Sequence, residues 1–481
     1  MERRGLWLAL ALAFAARLPA LLLGVEHYGD APVRIEIAER WARDPHLWRG
    51  FGETYQFGPL HLSMLGVALK ALPDRYLAPK LLSLVCGLLS VALLWLLTAR
   101  LRDRPAATFA ACALALSPLH IQASTTGASE TPFLALLLAA LLLARPHVLW
   151  SALLLGAAGL VRYDGWFYVP FLALTIRPWR KAAVFFAVAV APAALWLLRN
   201  GQFGDPLAPV HWIDRDHENL ARMAIGWFGE GRYRLYSAGF FPQAVLVILS
   251  PVVGLLAMAG VARAIWKRLP GWELAAIAWA PIAYYVFRAA VLLNFRPLTR
   301  FAMTTAALSL PFAWDAVGWI GERLRRPVLA LAGISLVATP LVLAGLSLGR
   351  NGSNAEWARP ISPVSSVPPG IEEAARWVRA HARPDDVVLL DGVWDYLDIP
   401  LAFEAGLPEP QWIRVAWKDD YEARWARVRP TMAVVIYQGT LESTFGKPDR
   451  FTIRGVELCV AQRFVYATIY RRCGPSVSNE R

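Results

Sequence analysis

Asp30 is the first side chain whose type and position could do acid–base chemistry. It lies in a polar stretch, residues 26–60, that follows the first apolar run and is too polar to remain in lipid. A carboxylate in such a place can take the proton of a hydroxyl nucleophile. It can also cap a helix, because an Asp shortly before Pro32 is typical of a helix start. Spacing alone favours the cap.

Three basic side chains, Lys80, Arg162 and Arg300, lie where apolar runs end. Cations at a membrane edge can bind an anion. The same side chains can instead reach from a helix end to the membrane surface. Arg17 lies within the first apolar run, where a charge either faces the protein interior or snorkels to the interface. These positions predict either anion binding or interfacial anchoring.

Acidic residues at other run ends offer further candidates. Glu130 and Asp164 can orient an acceptor or an arginine, and each can equally cap a helix, whose N-terminal dipole favours a carboxylate. The sequence Asp214-Arg215-Asp216, with His211 and His217 beside it, has the DxD spacing that holds a metal ion in nucleotide-sugar transferases. Three residues are weak evidence, so we prefer a solvated loop and predict no metal site.

A last acidic motif, Asp391-Gly392-Val393-Trp394-Asp395, follows a predicted strand near the C-terminus. Ligands often bind at the carboxyl ends of strands in α/β sheets. The motif therefore predicts either a contact with a ligand or a structural turn.

The composition is that of a membrane protein. The chain has 481 residues, of which 57% are hydrophobic and only 18% are charged, and the apolar residues lie in long blocks. The net charge of +13 could suggest nucleic acid, but basic cytoplasmic loops explain it better. The chain contains no P-loop, no Rossmann glycine motif and no GxSxG, which argues against an ATPase or a serine hydrolase.

The apolar runs predict about eleven membrane spans. The first, residues 5–25, is predicted to stay uncleaved, although Ala13-Phe14-Ala15 resembles a signal-peptide cleavage site. Residues 61–73 are too few to span and predict a helix at the membrane interface. The other spans are predicted at 77–101, 105–122, 130–144, 147–161, 165–177, 181–199, 239–264, 271–293, 300–320 and 327–349.

Positive charges assign the two sides of the predicted bundle. With the N-terminus in the cytoplasm, every predicted inside turn is basic, as the positive-inside rule requires. The basic residues of these turns are Arg100, Arg102, Arg104, Arg145, Arg177, Arg180, Lys181, Arg263, Lys267, Arg268, Arg323, Arg325 and Arg326. This topology places residues 26–60, residues 199–238 and the tail after residue 350 outside.

The tail predicts a small exterior α/β domain. Residues 351–370 are rich in Pro, Ser, Asn and Gly and predict a linker between the membrane domain, residues 1–350, and this tail domain, residues 371–473. Cys459 and Cys473 could pair in an oxidising compartment or remain free thiols. The patterns predict helices at 371–382 and 420–428, and strands at 387–390, 432–437, 451–453, 456–460 and 464–470. The overall expectation is a mainly α, polytopic transmembrane helical bundle with a C-terminal α/β domain.

The order of these features resembles the GT-C class of polytopic glycosyltransferases, and in particular family 39 with its protein O-mannosyltransferases and aminoarabinose transferases. One departure is that many relatives have Asp-Glu in the first loop, whereas Ala31 follows Asp30 here. The segments that carry the resemblance are Gly29-Asp30-Ala31, Ile37-Ala38-Glu39-Arg40, Phe57-Gly58-Pro59-Leu60-His61, Pro79-Lys80-Leu81-Leu82-Ser83, Ser117-Pro118-Leu119-His120-Ile121, Ser129-Glu130, Gly159-Leu160-Val161-Arg162-Tyr163-Asp164-Gly165, Phe203-Gly204-Asp205-Pro206-Leu207 and Arg300-Phe301.

The resemblance implies inverting transfer of a sugar from a polyprenyl-phosphate carrier to a glycan, lipid or protein on the exterior face of the plasma membrane. Asp30 would be the catalytic base. Lys80 and Arg300 would bind the donor phosphate, with Arg162 and Arg17 as second choices. Asp164 and Glu130 would orient the acceptor or an arginine, and no divalent metal would be needed.

Two other activities remain open from the sequence. A transporter or flippase of lipid-linked sugars would be expected to show internal repeats and broken helices. A polymerase or ligase of whole lipid-linked glycans would share the chemistry of the transferase.

Overall fold

The computed structural model describes residues 4–348, 361–368, 370–392, 397–408, 411–415, 429–437 and 439–473. These residues form two compact units. The first, called here the helical unit, contains residues 4–24, 34–348 and 361–365. The second, called the sheet unit, contains residues 25–33 together with the described residues from 366 onward. The sheet unit therefore includes the short segment that carries Asp30, which the predicted domain boundaries had assigned to the membrane domain.

Helices make up most of residues 4–348, because apolar residues fill many of the runs between turns. Their bounds are Arg4–Leu23 (α1), Ala31–Arg43 (α2), Phe51–Thr54 (α3), Pro59–Ala71 (α4), Leu77–Leu101 (α5), Arg104–Ala115 (α6), Pro118–Ala123 (α7), Glu130–Leu143 (α8), Val148–Val161 (α9), Gly165–Thr175 (α10), Trp179–Gly201 (α11), Ala208–Phe228 (α12), Glu230–Ile248 (α13), Pro251–Trp266 (α14), Trp272–Val286 (α15), Met303–Trp319 (α16) and Glu322–Leu348 (α17). A π-helical turn, Phe287–Val291, extends α15, and a 3₁₀ turn, Thr299–Ala302, precedes α16.

Within the described residues, five helices are long and apolar enough to cross a membrane: α1, α5, α11, α15 with its π-helical extension, and α17. The bent pair α13 and α14 would make a sixth, and α8, α9 and α10 are shorter apolar helices. Every predicted span contains a helix. The predicted interfacial segment corresponds to α4, which has 13 residues.

Two predicted spans are broken rather than continuous. Residues 105–122 correspond to α6 and α7. Residues 239–264 contain part of α13 and most of α14, and these two helices are bent by 119°. Both breaks precede a proline, Pro118 and Pro251, which disfavours helical geometry in the residue before it. The two breaks meet, because the Ser117 hydroxyl donates to the carbonyl oxygen of Ile248 at 2.8 Å.

The sheet unit is built on six strands in the order β2-β1-β3-β6-β5-β4. β1, β2 and β3 are parallel, and the other neighbouring pairs are antiparallel. The strands are Val388–Asp391 (β1), Trp412–Val415 (β2), Met432–Ile436 (β3), Arg450–Ile453 (β4), Val456–Arg463 (β5) and Ala467–Arg472 (β6). The helices are Ile371–His381 (α18), Asp398–Ala405 (α19) and Thr440–Phe445 (α20).

Most predicted elements of this unit are present, but β2, α19 and α20 were not predicted. β6 begins at Ala467 rather than Phe464, because Phe464 lies in the hairpin turn and its N–H donates to the Ala467 carbonyl at 2.7 Å. The helix predicted at residues 420–428 lies outside the described residues. Cys459 and Cys473 form a disulfide that joins the end of β6 to β5.

The described part of the predicted linker, residues 361–368, is buried for most of its length. Val364 packs against Ala20 of α1 and Ile121 of α7 inside the helical unit. Residues 361–365 are therefore part of the core of the helical unit, although their Pro and Ser content predicted a linker.

Candidate functional site

A charged cluster occupies the turn between α9 and α10. The Arg162 guanidinium contacts the Asp164 carboxylate at 2.8 Å and the Glu130 carboxylate at 2.5 Å. It also donates to the Ser129 hydroxyl at 3.2 Å. Glu130 is buried, and Arg162 and Asp164 are partly buried. An arginine between two carboxylates satisfies charges that would otherwise repel each other in a poorly solvated place.

Glycines allow this turn to form. A side-chain carbon on Gly165 would lie 2.7 Å from the backbone nitrogen of Gly159, so α9 and α10 can approach only where both residues are small. A side-chain carbon on Gly58 would collide with the backbone carbonyls of Leu160 and Val161, at the end of α9. Gly58, Gly159 and Gly165 therefore allow the loop before α4 and the start of α10 to pack closely against the C-terminal end of α9.

Tyr285 of α15 completes the surroundings of Asp164. Its hydroxyl donates to the Asp164 carboxylate at 2.7 Å. Its ring stacks on Phe295 and Phe301, with centroids 5.0 Å and 5.2 Å away. Burial alone would raise the pKa of Asp164, but Arg162, the Tyr285 hydroxyl and the charge of Arg300 together hold that pKa below its ordinary value. Asp164 is thus an ionised carboxylate in a fixed orientation.

The predicted phosphate ligand Arg300 lies beside the same cluster. Its guanidinium is 5.7 Å from the ring centroid of Phe301, and its charge acts on both Asp164 and His217. His217 is buried on α12 and stacks on Phe295 at 4.1 Å. The pKa of His217 falls to about 4, mainly through burial, with Arg300 among the cations that add to the lowering. The structure therefore brings Arg162, Asp164, Glu130 and Arg300 together.

The DxD sequence on α12 is engaged by a cation of the protein itself. Asp214 forms an ion pair with Arg288 at 2.6 Å. Arg288, in the π-helical turn after α15, also donates to the side chain of Asn294 at 3.1 Å. Within the part of the chain that the structure describes, no group of three or more His, Cys, Asp or Glu side chains could hold a metal ion. The arrangement of Asp214 is that of a structural ion pair.

Lys80 lies in the first turn of α5 and is nearly buried. Its ammonium donates to the carbonyl oxygen of Gly24, just beyond the end of α1, at 2.9 Å. The start of α5 also borders the turn before α8, because a side-chain carbon on Gly127 would lie 3.4 Å from Pro79. That turn continues to Ser129 and Glu130, which bind Arg162. Lys80 is thus connected through one short turn to the charged cluster.

Asp30 directly precedes the first residue of α2, which is the N-cap position. Its side chain is half-buried. The residues directly before and after the segment that carries Asp30 make contacts within the helical unit. Gly24 receives the Lys80 ammonium, and Arg34, on α2, lies over the Phe57 ring at 4.1 Å.

Arg34, His61 and Tyr285 were not identified from the sequence as functional candidates. His61 is fully buried at the start of α4, and its pKa lies well below the ordinary value through burial and then through the charges of Arg34 and Arg162. The only signal for Arg34 is its position one helical turn after Asp30, which places both on one face of α2. A tyrosine inside an apolar run, such as Tyr285, gives no signal at all.

Arg17 is fully buried and does not lie at a surface. Its guanidinium donates to the carbonyl of Ala115 at 3.1 Å and contacts the His120 ring at 2.6 Å. Ala115 ends α6, so the cation sits at a helix C-terminus, where the dipole and unpaired carbonyls favour it. Arg17 therefore supports the break between α6 and α7.

In the sheet unit, Asp391 ends β1 and is fully buried. Its carboxylate accepts backbone N–H groups of Ile436, Leu441 and Glu442 at 3.0, 2.8 and 3.3 Å. Burial raises the pKa of Asp391 to about 7, although the three amide donors oppose the shift. The rest of the predicted motif, residues 393–395, lies outside the described residues. Asp391 closes a turn of the sheet unit.

The fold is that of the GT-C class of polytopic membrane glycosyltransferases. No protein-family model matches the chain, and no curated protein matches its sequence. Among solved structures, ArnT from Cupriavidus metallidurans in the apo state is 15% identical, with a TM-score of 0.61 over 97% of this chain and 98% of ArnT. ArnT bound to undecaprenyl phosphate gives the same identity and TM-score over 99% and 100%. The apo oligosaccharyltransferase of Archaeoglobus fulgidus is 14% identical, with a TM-score of 0.53 over 91% of this chain and 70% of that protein.

Proposed function

We propose that this protein is an inverting glycosyltransferase that moves a sugar from a polyprenyl-phosphate donor to an acceptor on the exterior face of the plasma membrane. The observation that carries the proposal is the match along the whole of both chains to ArnT, which has been solved with undecaprenyl phosphate bound. The acceptor is a glycan, a lipid or a protein. The N-terminus is cytoplasmic and the sheet unit exterior, as the basic turns predict.

Lys80 and Arg300 bind the donor phosphate in this proposal. As the bond between sugar and phosphate breaks, negative charge grows on the phosphate, and fixed cations stabilise that charge. An ammonium has three donors, and Lys80 directs one of them to Gly24, which fixes its position. Arg162 is poorly suited to bind the phosphate, because its guanidinium already contacts Glu130 and Asp164.

Asp30 is the proposed base. An acceptor hydroxyl is a poor nucleophile until its proton is taken, and a carboxylate within hydrogen-bond reach can take it. The acceptor oxygen then forms a bond to the anomeric carbon while the bond from that carbon to the phosphate oxygen breaks on the opposite face. The lipid phosphate leaves with the bonding electrons, and one displacement of this kind inverts the configuration.

Asp164 and Glu130 are proposed as orienting groups. Both are held by Arg162, and Asp164 is also held by Tyr285. A carboxylate fixed by three donors has a defined direction, which suits recognition of hydroxyl groups on a sugar.

The test is transfer of label from radioactive polyprenyl-phosphate mannose, glucose and arabinose to a membrane extract, with purified protein in nanodiscs. Asp30→Asn should abolish transfer while still binding the donor. Asp44→Asn, in an exposed part of the same loop, is the matched control and should transfer at the wild-type rate. Wild-type transfer by Asp30→Asn would remove Asp30 from the chemistry and redirect the search to Asp164 and Glu130.

One observation supports the alternative, a flippase of lipid-linked sugars. The 119° bend between α13 and α14 is the kind of broken helix that transporters use. Sealed vesicles that hold the same labelled donors would distinguish the two functions. Movement of donor across the membrane, without transfer from any donor, would establish the flippase and exclude the transferase.

A further inference from the structure

The segment that carries Asp30 is built into the sheet unit. Residues 25–33 group with the described residues from 366 onward, although they lie between α1 and the rest of α2 in the chain. The ring nitrogen Nδ1 of His27 is 2.9 Å from the carbonyl oxygen of Ser366. A carbonyl oxygen can only accept, so Nδ1 of His27 carries the proton and donates.

The surroundings of this bond fix the course of the segment. Glu26, Tyr28 and Ala31 are buried, whereas Asp30 is only half-buried. Gly29 adopts a left-handed conformation with φ of 52°, which a residue with a side chain rarely adopts, and the Ala31 N–H closes the turn on the Tyr28 carbonyl at 3.0 Å. The segment therefore buries Glu26, Tyr28 and Ala31 and leaves Asp30 half-buried.

We infer that the sheet unit positions the proposed base, and that His27 is the positioning residue through its hydrogen bond to Ser366. This inference rests on the proposed function, because it requires Asp30 to act in the reaction. A displacement of a catalytic group by about 1 Å can slow the chemical step by about 100-fold. The His27 bond joins the segment to residue 366, where the chain enters the tail part of the sheet unit.

The test compares His27→Leu with His27→Asn in the full-length protein. Leucine removes the donor at similar size, whereas the amide nitrogen of asparagine occupies the place of Nδ1 and can donate to the same carbonyl. For His27→Leu we expect kcat to fall by ~10- to 100-fold, with KM for the polyprenyl-phosphate sugar within ~3-fold of wild type. For His27→Asn we expect kcat within ~3-fold of wild type.

The outcomes separate this inference from the proposed function. A wild-type kcat in His27→Leu, with Asp30→Asn inactive, would overturn the positioning role and leave the proposed function intact. Equal loss in His27→Leu and His27→Asn would also overturn it, because the hydrogen bond would not be the cause. Full activity of Asp30→Asn would overturn both.

Hydrogen–deuterium exchange of the wild-type protein provides a second measurement, which does not depend on the variants folding. Residues 26–31 should exchange at least ~10-fold more slowly than residues 201–207, which are exposed. Equal exchange of the two segments would show that the sheet unit does not hold the segment. In folded His27→Leu, exchange should accelerate at 26–31 and stay unchanged at β3, and an unchanged rate at 26–31 would contradict the inference.

Discussion

Asp164 in the helical unit and Asp391 in the sheet unit are each held by three donors, but the donors differ in kind. Asp164 is held by two nitrogens of Arg162 and by the Tyr285 hydroxyl. Asp391 is held by three backbone N–H groups and by no ion pair among the described residues. Burial acts on both, yet the pKa of Asp164 lies below its ordinary value and that of Asp391 is raised to about 7.

The difference shows what each surrounding is suited to do. A cation keeps Asp164 charged and oriented, as a carboxylate that recognises a ligand would have to be. Backbone amides of a tight turn hold Asp391 where the chain itself fills the space, since a side-chain carbon on Gly439 would collide with the carboxylate. We therefore expect function to depend on the first carboxylate and stability on the second.

The largest effect should come from Arg162→Gln. Without the guanidinium, the Glu130 and Asp164 carboxylates face each other in a poorly solvated turn, and we expect a loss of about 3–5 kcal/mol in unfolding free energy. Transfer should fall at least ~100-fold as Asp164 loses its orientation. Thermal unfolding in detergent and the transfer assay measure the two effects.

Arg102→Gln is the matched control for this variant. Arg102 forms an ion pair with Asp315 at 2.6 Å and has a similar exposed fraction, 11% against 10% for Arg162. The Arg102→Gln variant should destabilise the protein but leave the rate of sugar transfer at the wild-type value. Equal loss of activity in both variants would show that the effect is general destabilisation.

Asp391→Ala should produce the next largest loss of stability. Three buried N–H groups lose their acceptor, and we expect a decrease of roughly 2–3 kcal/mol in unfolding free energy with the transfer rate of folded protein unchanged. Asp449→Ala is the control, because its side chain is 94% exposed and the variant should unfold like wild type. Lost transfer in folded Asp391→Ala would contradict the contrast between the two carboxylates.

The sequence could predict most of the helices and strands, and which charged residues lie at their ends. It could predict few of the contacts between the residues of the site. Apolar runs predicted the helices of the spans, whereas α12 lies where a solvated loop was predicted. A proline after Ser117 and another after Ser250 were the available signals for the two breaks. Glu130, Arg162 and Asp164 could be chosen because all lie in turns at the ends of apolar runs. That they meet depends on close packing at Gly159 and Gly165, which spacing does not reveal.

Long-range contacts could not be predicted. Tyr285 reaches Asp164 across 121 positions, and His27 reaches Ser366 across 339. Tyr285 lies in an apolar run and His27 lies in a polar loop. Neither residue differs from its sequence neighbours in a way that indicates a distant partner. β2 was missed because Arg414 interrupts its apolar residues, so it lacks a continuous apolar run like the one that predicted β1.

Tyr285→Phe should have a smaller effect than Asp391→Ala, because the ring and its stacking on Phe295 remain. The lost hydrogen bond to a charged acceptor should cost about 1–2 kcal/mol, since Asp164 keeps Arg162. The activity profile should also move to higher pH at its acid limb, because the pKa of Asp164 rises when a donor is removed. Tyr233→Phe removes a bond to the neutral Phe295 carbonyl and should leave the profile unchanged. An unmoved acid limb in Tyr285→Phe would mean that Asp164 does not govern activity.

The smallest effect is the pH dependence of unfolding, which tests the raised pKa of Asp391 directly. The folded-state pKa of Asp391, about 7, lies above the ordinary value of 3.8, so the folded protein binds the extra proton between these values. Its contribution to stability is therefore present at low pH and is lost as pH rises through 7. Between pH 6 and 7.5 the loss should be about 1 kcal/mol.

Asp391→Asn cannot titrate, so its unfolding temperature should change less than that of wild type over this range. Asp386 of the same unit is the matched opposite. Burial would raise its pKa, but backbone, Thr431 and Arg471 donors hold it below its ordinary value. Its contribution is therefore present above pH 4 and lost in acid, and Asp386→Asn should flatten the profile only there. If Asp391→Asn instead flattened the acid side of the stability profile, the amide donors would outweigh burial in setting the pKa of Asp391. Asp391, like Asp164, would then be held in the ionised form by its donors.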